Sequence, residues 1–260
     1  MQNKPESSVL PFIAFVFVLS IPFWVLGIIY PIQILPGLPI SALGAFIPAL
    51  AALILTYQQD RRSGVLQLLE RSFDFKRIKN KYWFLALLLI NPAIAVFAYG
   101  IMRATGEPVP TPAPWTLVIF PMFALFLIAA LGEEIGWSGY ATEPLLRCWG
   151  TITTGVLIGL VGTVWHFIPL MQAHRSFEWI AWWALGSLAL RMIMTWLYTH
   201  TGKSIFGAAV FHTMINLSWQ LFPNNGSHYD PRIFGLITLG FAITMYATER
   251  FLPSGKLSTA

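Results

Sequence analysis

Long apolar runs, separated by short polar or proline-rich segments, limit most strongly how this chain can fold. A helix needs about 20 consecutive apolar residues to cross the hydrocarbon core of a bilayer. Eight stretches of the sequence approach this length: Leu10–Tyr30, Ile40–Tyr57, Tyr82–Met102, the run that starts at Trp115, Ile152–Pro169, Glu178–Tyr198, Lys203–Phe222 and Arg232–Phe251. The sequence therefore predicts an all-α, polytopic membrane protein with about eight transmembrane helices, which form a single transmembrane domain over residues 1–260.

The composition agrees with a membrane protein. Of the 260 residues, 56% are hydrophobic and 10% are charged, whereas soluble domains carry roughly 25% charged residues. The net charge of +5 does not predict a nucleic-acid partner, because most of the positive excess lies in one segment between spans, Gln58–Lys81. Cys148 is the only cysteine, which excludes an intrachain disulfide.

The distribution of basic residues predicts the orientation in the membrane. The segment Gln58–Lys81 holds seven of the 16 lysines and arginines, so we expect it in the cytoplasm, and this places both termini there too. The apolar run after Lys4 has no evident cleavage site and is predicted to be an uncleaved first span. The short chain without extra domains favours a multi-pass protein of the bacterial inner (plasma) membrane.

Two adjacent carboxylates, Glu133 and Glu134, lie within the fourth apolar run. A carboxylate inside a membrane helix is costly, so it usually faces a polar interior and has a function. Comparable polar residues occur at His166 in the fifth span and at His212 and Asn216 in the seventh. His212 and Asn216 are four residues apart and share one helical face. Glu133 and Glu134 point about 100° apart, so they cannot have the same role.

Counting residues along the helices places these groups at comparable depth. If the fourth helix continues towards Gly150, Glu133 lies roughly 22 Å from its cytoplasmic end, and His166 lies roughly 24 Å back along the next helix. His212 and Asn216 lie about 14 and 20 Å from the start of the seventh span. The three stretches can therefore meet in one site inside the membrane.

Three motifs follow one another on successive spans: Glu-Glu with Gly-Trp and Gly-Tyr, then Trp-His-x-x-Pro, then His-x-x-x-Asn. In this order they resemble the CaaX-processing and bacteriocin-processing proteases, the CPBP (abortive infection) family of intramembrane endopeptidases, which includes the type II CaaX prenyl endopeptidases. The resemblance covers a motif-bearing core over residues 115–218. It implies an eight-helix fold with an intramembrane cavity open to the cytosol, and hydrolysis of a peptide bond by a glutamate-activated water.

The resemblance also implies a role for each matching residue. Glu133 and His166 would hold and activate the water, His212 and Asn216 would bind the oxyanion, and Glu134 would orient the site. The implied partners are membrane lipid and a peptide or prenylated protein, as a CaaX-type or a leader or bacteriocin-type substrate.

The role of a metal stays open in the sequence. Glu133, His166 and His212 could form a His₂Glu set, which is a known catalytic zinc pattern. The chain has no His-Glu-x-x-His helix of the thermolysin type. A carboxylate acting as general base on water without a metal explains the same residues. The sequence therefore does not assign a cofactor with certainty, and Zn²⁺ remains a candidate.

The sequence departs from the family pattern at two positions. Ser138 stands where the first motif, Glu-Glu-x-x-x-Arg, has its arginine, and Gly162 stands where the second motif often has phenylalanine. The missing arginine removes a cation beside two carboxylates in an apolar environment. We therefore expect Arg191, in the sixth span, to supply the compensating charge.

Other functions are compatible with parts of this pattern. Loss of the motif arginine at Ser138 is also expected of a catalytically weakened or inactive relative that acts as a membrane immunity or scaffold protein. Gly136-Trp-Ser-Gly139 resembles the serine motif of rhomboid proteases, but there the His-x-x-x-Asn element precedes the serine, and here it follows. Intramembrane Glu, Arg and His could also relay protons in a transporter, although the sequence has no internal repeat.

Overall fold

The computed structural model describes residues 9–112 and 117–251, with the side chains of Arg250 and Phe251 excepted. The predicted start of the fourth span at Trp115 lies outside the described residues. The basic residue Lys4 and both chain termini, which we expect in the cytoplasm, also lie outside them.

Eight α-helices form most of the described part of the chain. They are α1 (Val9–Ile29), α2 (Ile47–Glu70), α3 (Tyr82–Ala104), α4 (Ile119–Glu134), α5 (Glu143–Gln172), α6 (Phe177–His200), α7 (Ile205–Leu221) and α8 (Pro231–Phe251). A small antiparallel hairpin of β1 (Gln33–Leu35) and β2 (Leu38–Pro39) joins α1 to a 3₁₀ helix over Ile40–Phe46. Within the described residues, six helical segments are long and apolar enough to cross a membrane. The all-α, polytopic fold class is confirmed, and the number of eight spans stays a prediction.

The outer surface of the bundle is apolar along the membrane-spanning helices. Val18 and Ile28 of α1, and Leu89, Val96 and Phe97 of α3, expose half or more of their surface. A large exposed apolar surface of this kind is unfavourable in water and favourable against lipid tails. The ion pair between Glu134 and Arg191 lies inside the bundle, with side-chain exposures of 0% and 13%, as the cost of charge in lipid requires.

The predicted second span differs from the observed helix at both ends. Residues 40–46 are a 3₁₀ helix, and α2 begins at Ile47, because Pro48 is well placed in a first helical turn. The helix then continues through the charged residues to Glu70, with a bend at Arg61, where φ is +55°. Glutamine, leucine, glutamate and arginine are good helix formers, so polarity alone did not end the helix at Tyr57.

The fourth helix continues past the paired glutamates, as the depth argument required. A π-helix over Ile135–Thr142 follows α4 directly and leads into α5. The chain turns at Gly150, where φ is +69°, a conformation that glycine adopts without strain. A side chain at Gly136 would overlap the backbone of Pro48, so this glycine allows the π-helix to pack closely on α2.

Helix α7 is central to the packing around the paired glutamates. It contacts both α3 and α4, while α5 packs on α6 and α6 packs on α8. This arrangement brings Glu133 and Glu134 of α4 towards His166 of α5, Arg191 of α6 and His212 of α7. The fold therefore assembles side chains that are far apart in sequence.

The bundle has two chemically different ends. At the hairpin end, Gly37 lies against Trp219 of α7 and Arg175 of the α5–α6 connection. At the charged end, Asp74 accepts hydrogen bonds from the Ser204 hydroxyl (2.5 Å) and the Phe206 amide (3.2 Å), which ties the α2–α3 connection to the start of α7. The segment Gln58–Lys81 runs along α2 to this charged end.

A group of ionic side chains, here called the end cluster, links helices at the charged end. Arg71 donates to Glu143 Oε1 and to the Tyr198 hydroxyl, each at 2.9 Å. Lys203 lies 3.8 Å from Glu143 Oε2. None of these four residues lines the central cavity described below.

Candidate active site

A cavity of about 270 Å³ lies between the helices and is lined by residues from all three polar stretches. Glu133 of α4, His166 of α5, and His212 and Asn216 of α7 all line this cavity. The structure thus brings together four of the five predicted site residues on one cavity wall. The fifth, Glu134, is fully buried behind that wall.

Glu134 has 0% exposure and is held by four hydrogen bonds from three helical segments. Arg191 donates to both carboxylate oxygens at 2.9 Å, and the His212 Nδ1–H donates to Oε1 at 2.8 Å. The Ser138 hydroxyl, one turn further along the chain, donates to Oε2. We call Glu134, Arg191, His212 and Ser138 the central cluster. The guanidinium of Arg191 lies where the sequence argument expected the compensating cation.

Glu133 has the opposite environment from its neighbour. Its Oε2 atom is buried and has no hydrogen-bond partner in the described part of the chain. The carboxylate interacts electrostatically with the imidazoles of both His166 and His212. A buried carboxylate oxygen without a donor is costly, so its location on a cavity wall makes it available to a water or a substrate group. The sequence-based expectation of two different roles agrees with these two environments.

The hydrogen bonds of the two histidines fix which ring nitrogen remains available. His166 Nδ1–H donates to the Gly162 carbonyl at 2.7 Å, and His212 Nδ1–H donates to Glu134. In both neutral rings the Nε2 atom is then the acceptor. Both residues line the cavity, so Nε2 is the atom that each can offer to a bound water or substrate.

Asn216 lies one helical turn beyond His212 on the same face of α7 and also lines the cavity. Its side-chain amide has no hydrogen-bond partner among the described residues. A free amide N–H beside two imidazoles and a carboxylate can stabilise a developing negative charge on a substrate oxygen.

Aromatic residues complete the site, and sequence reasoning missed their role. The His166 ring contacts the rings of Trp165 and Trp183, with centroids 4.8 and 5.5 Å apart. Trp165 donates from Nε1 to the Ser20 hydroxyl of α1 at 2.7 Å. Tryptophans at span ends are normally interpreted as interfacial anchors, so the sequence did not predict the contact of Trp183 with His166. Ser20, a lone hydroxyl in an apolar span, was the available signal for the contact to α1.

The predicted zinc ligands do not form a ligand set in this structure. Among the residues that the structure describes, no three His, Cys, Asp or Glu side chains are arranged to hold a metal ion. Glu133, His166 and His212 nevertheless share a cavity, and both Nδ1–H groups donate to protein acceptors, which leaves Nε2 as the ring nitrogen that could bind a metal. The residue types therefore suit zinc, but the described side chains are not arranged as a three-ligand set in this structure.

The cavity extends to the hairpin end of the bundle. Its wall there includes Gly37, Arg175, Trp219 and Tyr229, while the residues of the end cluster take no part in it. Two expectations from the sequence therefore disagree. The charge distribution places the charged end in the cytoplasm, whereas the resemblance implies a cavity open to the cytosol.

Comparison with known proteins adds evidence on family. Residues 114–218 match the family model described as Type II CAAX prenyl endopeptidase Rce1-like. The chain is also similar to a protein named CAAX prenyl protease 2 from Methanococcus maripaludis, with 34% identity over 110 residues. That match covers 39% of this chain and 40% of the relative's length. The matched part contains all five predicted site residues together with Ser138 and Arg191. Residues 114–218 are thus similar to the Rce1-like type II CAAX prenyl endopeptidases, and the chain spans well under two thirds of the length of the relative that it matches.

Proposed function

We propose that this chain is an intramembrane endopeptidase that hydrolyses a peptide bond with a water activated by Glu133. The observation that carries the proposal is the contrast between two neighbouring carboxylates. Glu134 has its donors from Arg191, His212 and Ser138, whereas Glu133, on the cavity wall, has a buried oxygen to which no described residue donates. A carboxylate in this position can accept a proton from water.

The proposed reaction requires only a water molecule and residues that line the cavity. Glu133 takes a proton from water, and the resulting hydroxide attacks the carbonyl carbon of the scissile peptide bond. The carbonyl oxygen becomes an oxyanion. When this oxyanion re-forms the carbonyl, the C–N bond breaks, and Glu133 gives its proton to the departing amine nitrogen. His166 holds the water through Nε2, because its Nδ1–H is fixed on the Gly162 carbonyl.

His212 and Asn216 are proposed to stabilise the oxyanion. The Asn216 amide supplies an N–H donor directly. His212 can donate from Nε2 only as an imidazolium, in which Nδ1–H remains on Glu134. Glu134 is therefore a positioning residue: it orients His212 and balances its charge, while Arg191 and Ser138 hold Glu134 in turn.

The proposed substrates are peptides or prenylated proteins. The similar archaeal protein is named a prenyl protease, and the cavity here is lined mostly by apolar and aromatic side chains, which suit an apolar peptide or a lipid-modified one. A leader or bacteriocin-type peptide is the other substrate class that this chemistry accommodates, with membrane lipid as the surrounding solvent.

Cleavage of a peptide panel by the protein in proteoliposomes tests the proposal. The panel should include prenylated CaaX peptides and unmodified leader-type peptides, with cleavage sites identified by mass spectrometry. Wild type should cleave at least one peptide, and His166→Ala and His212→Ala should each lower the rate by about 10²–10³-fold. The same assay with a chelator tests the metal dependence. Cleavage at the same rate by wild type and both variants would contradict the proposal.

The alternative functions have less support. An inactive immunity or scaffold protein was suggested by Ser138, but Arg191 provides the cation that the motif lacks. A rhomboid-like mechanism needs Ser138 as nucleophile beside a histidine. Ser138 is buried, donates to Glu134 and does not line the cavity.

We further propose that the charged end and both termini face the cytoplasm of a bacterial inner membrane, which directs the cavity to the opposite face. Cys148, the single cysteine, is exposed just before the turn at Gly150 near the charged end and can report this directly. A membrane-impermeant maleimide should label Cys148 only after intact cells are permeabilised. In a Cys148→Ser background, Ser227→Cys in the α7–α8 connection should be labelled in intact cells. The reverse pattern would support a cavity open to the cytosol.

A further inference from the structure

Arg175 lies in the connection between α5 and α6, at the hairpin end of the cavity, and the site proposed above does not use it. Its guanidinium carbon is 4.6 Å from the centroid of the Trp179 ring. A side chain at Gly37 would contact the guanidinium, so the hairpin lies close to it. Trp219 and Tyr229 complete an aromatic wall around this part of the cavity.

Arg175 has no ionic partner in the described part of the chain. Arg71, Arg191 and Arg232 each form an ion pair with a carboxylate. Arg175 forms none, although it is half-buried. Burial lowers the pKa of Arg175 below its usual value. Glu107, Glu178 and Asp230 line a neighbouring pocket with Arg175, but none of them forms an ion pair with it. A partly desolvated guanidinium with unused donors is an incomplete interaction that a ligand can complete.

The shape and charge of the Arg175 guanidinium favour a carboxylate as its ligand. A guanidinium offers a planar fork of N–H donors that matches the two oxygens of a carboxylate. The ring of Trp179 covers one face of the guanidinium, so the edges that carry the donors remain for a ligand. The aromatic side chains beside the guanidinium reduce its contact with water, which strengthens a charge-assisted hydrogen bond.

The spacing from the reactive residues fits a peptide. His166 lies six residues before the end of α5 at Gln172, which is about 9 Å along the helix, and Arg175 lies three residues beyond. An extended peptide spans about 3.3–3.6 Å per residue. A carboxylate roughly three to four residues from the scissile bond would therefore reach Arg175.

We propose that Arg175 binds a carboxylate of the peptide substrate and so determines which peptides enter the cavity in a productive register. The proposal rests on the peptidase function for the class of substrate. The carboxylate can come from the C-terminus of the peptide or from an aspartate or glutamate side chain.

Binding measured without turnover tests this inference independently of cleavage. The probe is a fluorescein-labelled apolar peptide with a free C-terminal carboxylate, compared with the same peptide as a C-terminal amide. Anisotropy is measured on the Glu133→Gln protein in detergent, with and without Arg175→Gln. The free acid should bind about 10- to 100-fold more tightly than the amide when Arg175 is present, and equally when it is absent.

Two further variants make the test specific. Arg232→Gln removes the same charge at the same end of the bundle, but from an arginine that already pairs with Asp230, so it should keep the preference for the free acid. Arg175→Lys keeps the charge without the fork and should keep only part of the preference. An amide peptide with an internal aspartate, compared with its asparagine counterpart, identifies a side-chain source of the carboxylate.

The outcomes separate this inference from the proposed function. A carboxylate preference that disappears in Arg175→Gln supports the inference, even if the wild-type protein cleaves no peptide. Cleavage by the wild-type protein with no carboxylate preference of either kind overturns the inference and leaves the peptidase proposal intact. Absence of any difference between acid and amide, including no binding of either, also overturns it.

Discussion

The central cluster and the end cluster both join helices through an arginine and a glutamate, but their surroundings differ. Arg191 and Glu134 lie within the membrane-spanning bundle, and the carboxylate has 0% exposure. Arg71 and Glu143 lie at the charged end, where the exposed fractions of the two side chains are 20% and 26%. The central cluster adjoins the cavity, which Arg191 and His212 line, while the end cluster lines no part of that cavity.

In the mechanism proposed above, this difference separates a structural carboxylate from a reactive one. In both clusters the paired carboxylate holds helices together and has its donors supplied by the protein. Only beside the central cluster does a second carboxylate, Glu133, remain with a buried oxygen that lacks a donor. The ion pair of Glu134 thus orients His212, and the adjacent unpaired carboxylate is available for chemistry.

Replacing the arginine of each cluster should show the difference between the two clusters most clearly. Arg191→Gln leaves Glu134 buried without its cation, so we expect a loss of about 3–5 kcal/mol in the free energy of unfolding. Arg71→Gln affects a pair that is partly exposed, and should cost about 1 kcal/mol or less. Thermal and chemical unfolding of the two variants in the same detergent measures both. Equal losses would contradict the distinction.

Ser138→Ala tests the central cluster with a smaller change. It removes one of four hydrogen bonds to a buried carboxylate, and should lower the free energy of unfolding by about 1–2 kcal/mol. Peptide cleavage should continue, because Ser138 acts only through Glu134. Ser72→Ala is the matched control, since the Ser72 hydroxyl is buried without a hydrogen-bond partner. Complete loss of cleavage in a folded Ser138→Ala protein would instead favour the rhomboid-like mechanism.

The smallest effect is expected outside both clusters, at the start of α8. Burial alone would raise the pKa of Asp230, but hydrogen bonds from Arg232 lower it below its usual value. The resulting stabilisation is therefore complete above the unfolded-state pKa of about 3.9, and is lost as the pH falls through the lower folded-state value. Asp230→Asn should remove this loss of stability at acidic pH, which we expect to be below about 1 kcal/mol. Unfolding midpoints of both proteins, measured as the pH is lowered, provide the comparison, and identical pH profiles would contradict it.

The sequence predicted the helical membrane fold because lipid imposes a simple requirement on length and polarity. It also predicted that Glu133, Glu134, His166, His212 and Asn216 belong to one site, since polar groups are rare in apolar runs, and the structure brings four of them to one cavity. Helix geometry predicted only that the two glutamates differ, and the resemblance implied which role each has. The hydrogen bonds that Arg191 and Ser138 donate to Glu134 are visible only in three dimensions.

Other features depended on packing that leaves no local signal. The bend at Arg61, the π-helix after Glu134 and the contact between Trp183 and His166 arise from neighbouring helices rather than from nearby residues. The end of the bundle to which the cavity extends is also visible only in the structure. The charge distribution predicts an orientation in the membrane, but it carries no information on which end of the bundle the cavity reaches.

A direct comparison of Glu133→Gln with Glu134→Gln tests the central claim. Both substitutions keep the size of the side chain, so the cleavage rate kcat and the unfolding midpoint can be compared in the same proteoliposome preparation. We predict that Glu133→Gln loses kcat by about 10²–10⁴-fold and unfolds close to the wild-type midpoint, because it removes only the general base. Glu134→Gln should unfold at a clearly lower midpoint, since it leaves Arg191 without its counterion. Wild-type cleavage by a folded Glu133→Gln protein would contradict a glutamate-activated water at this position.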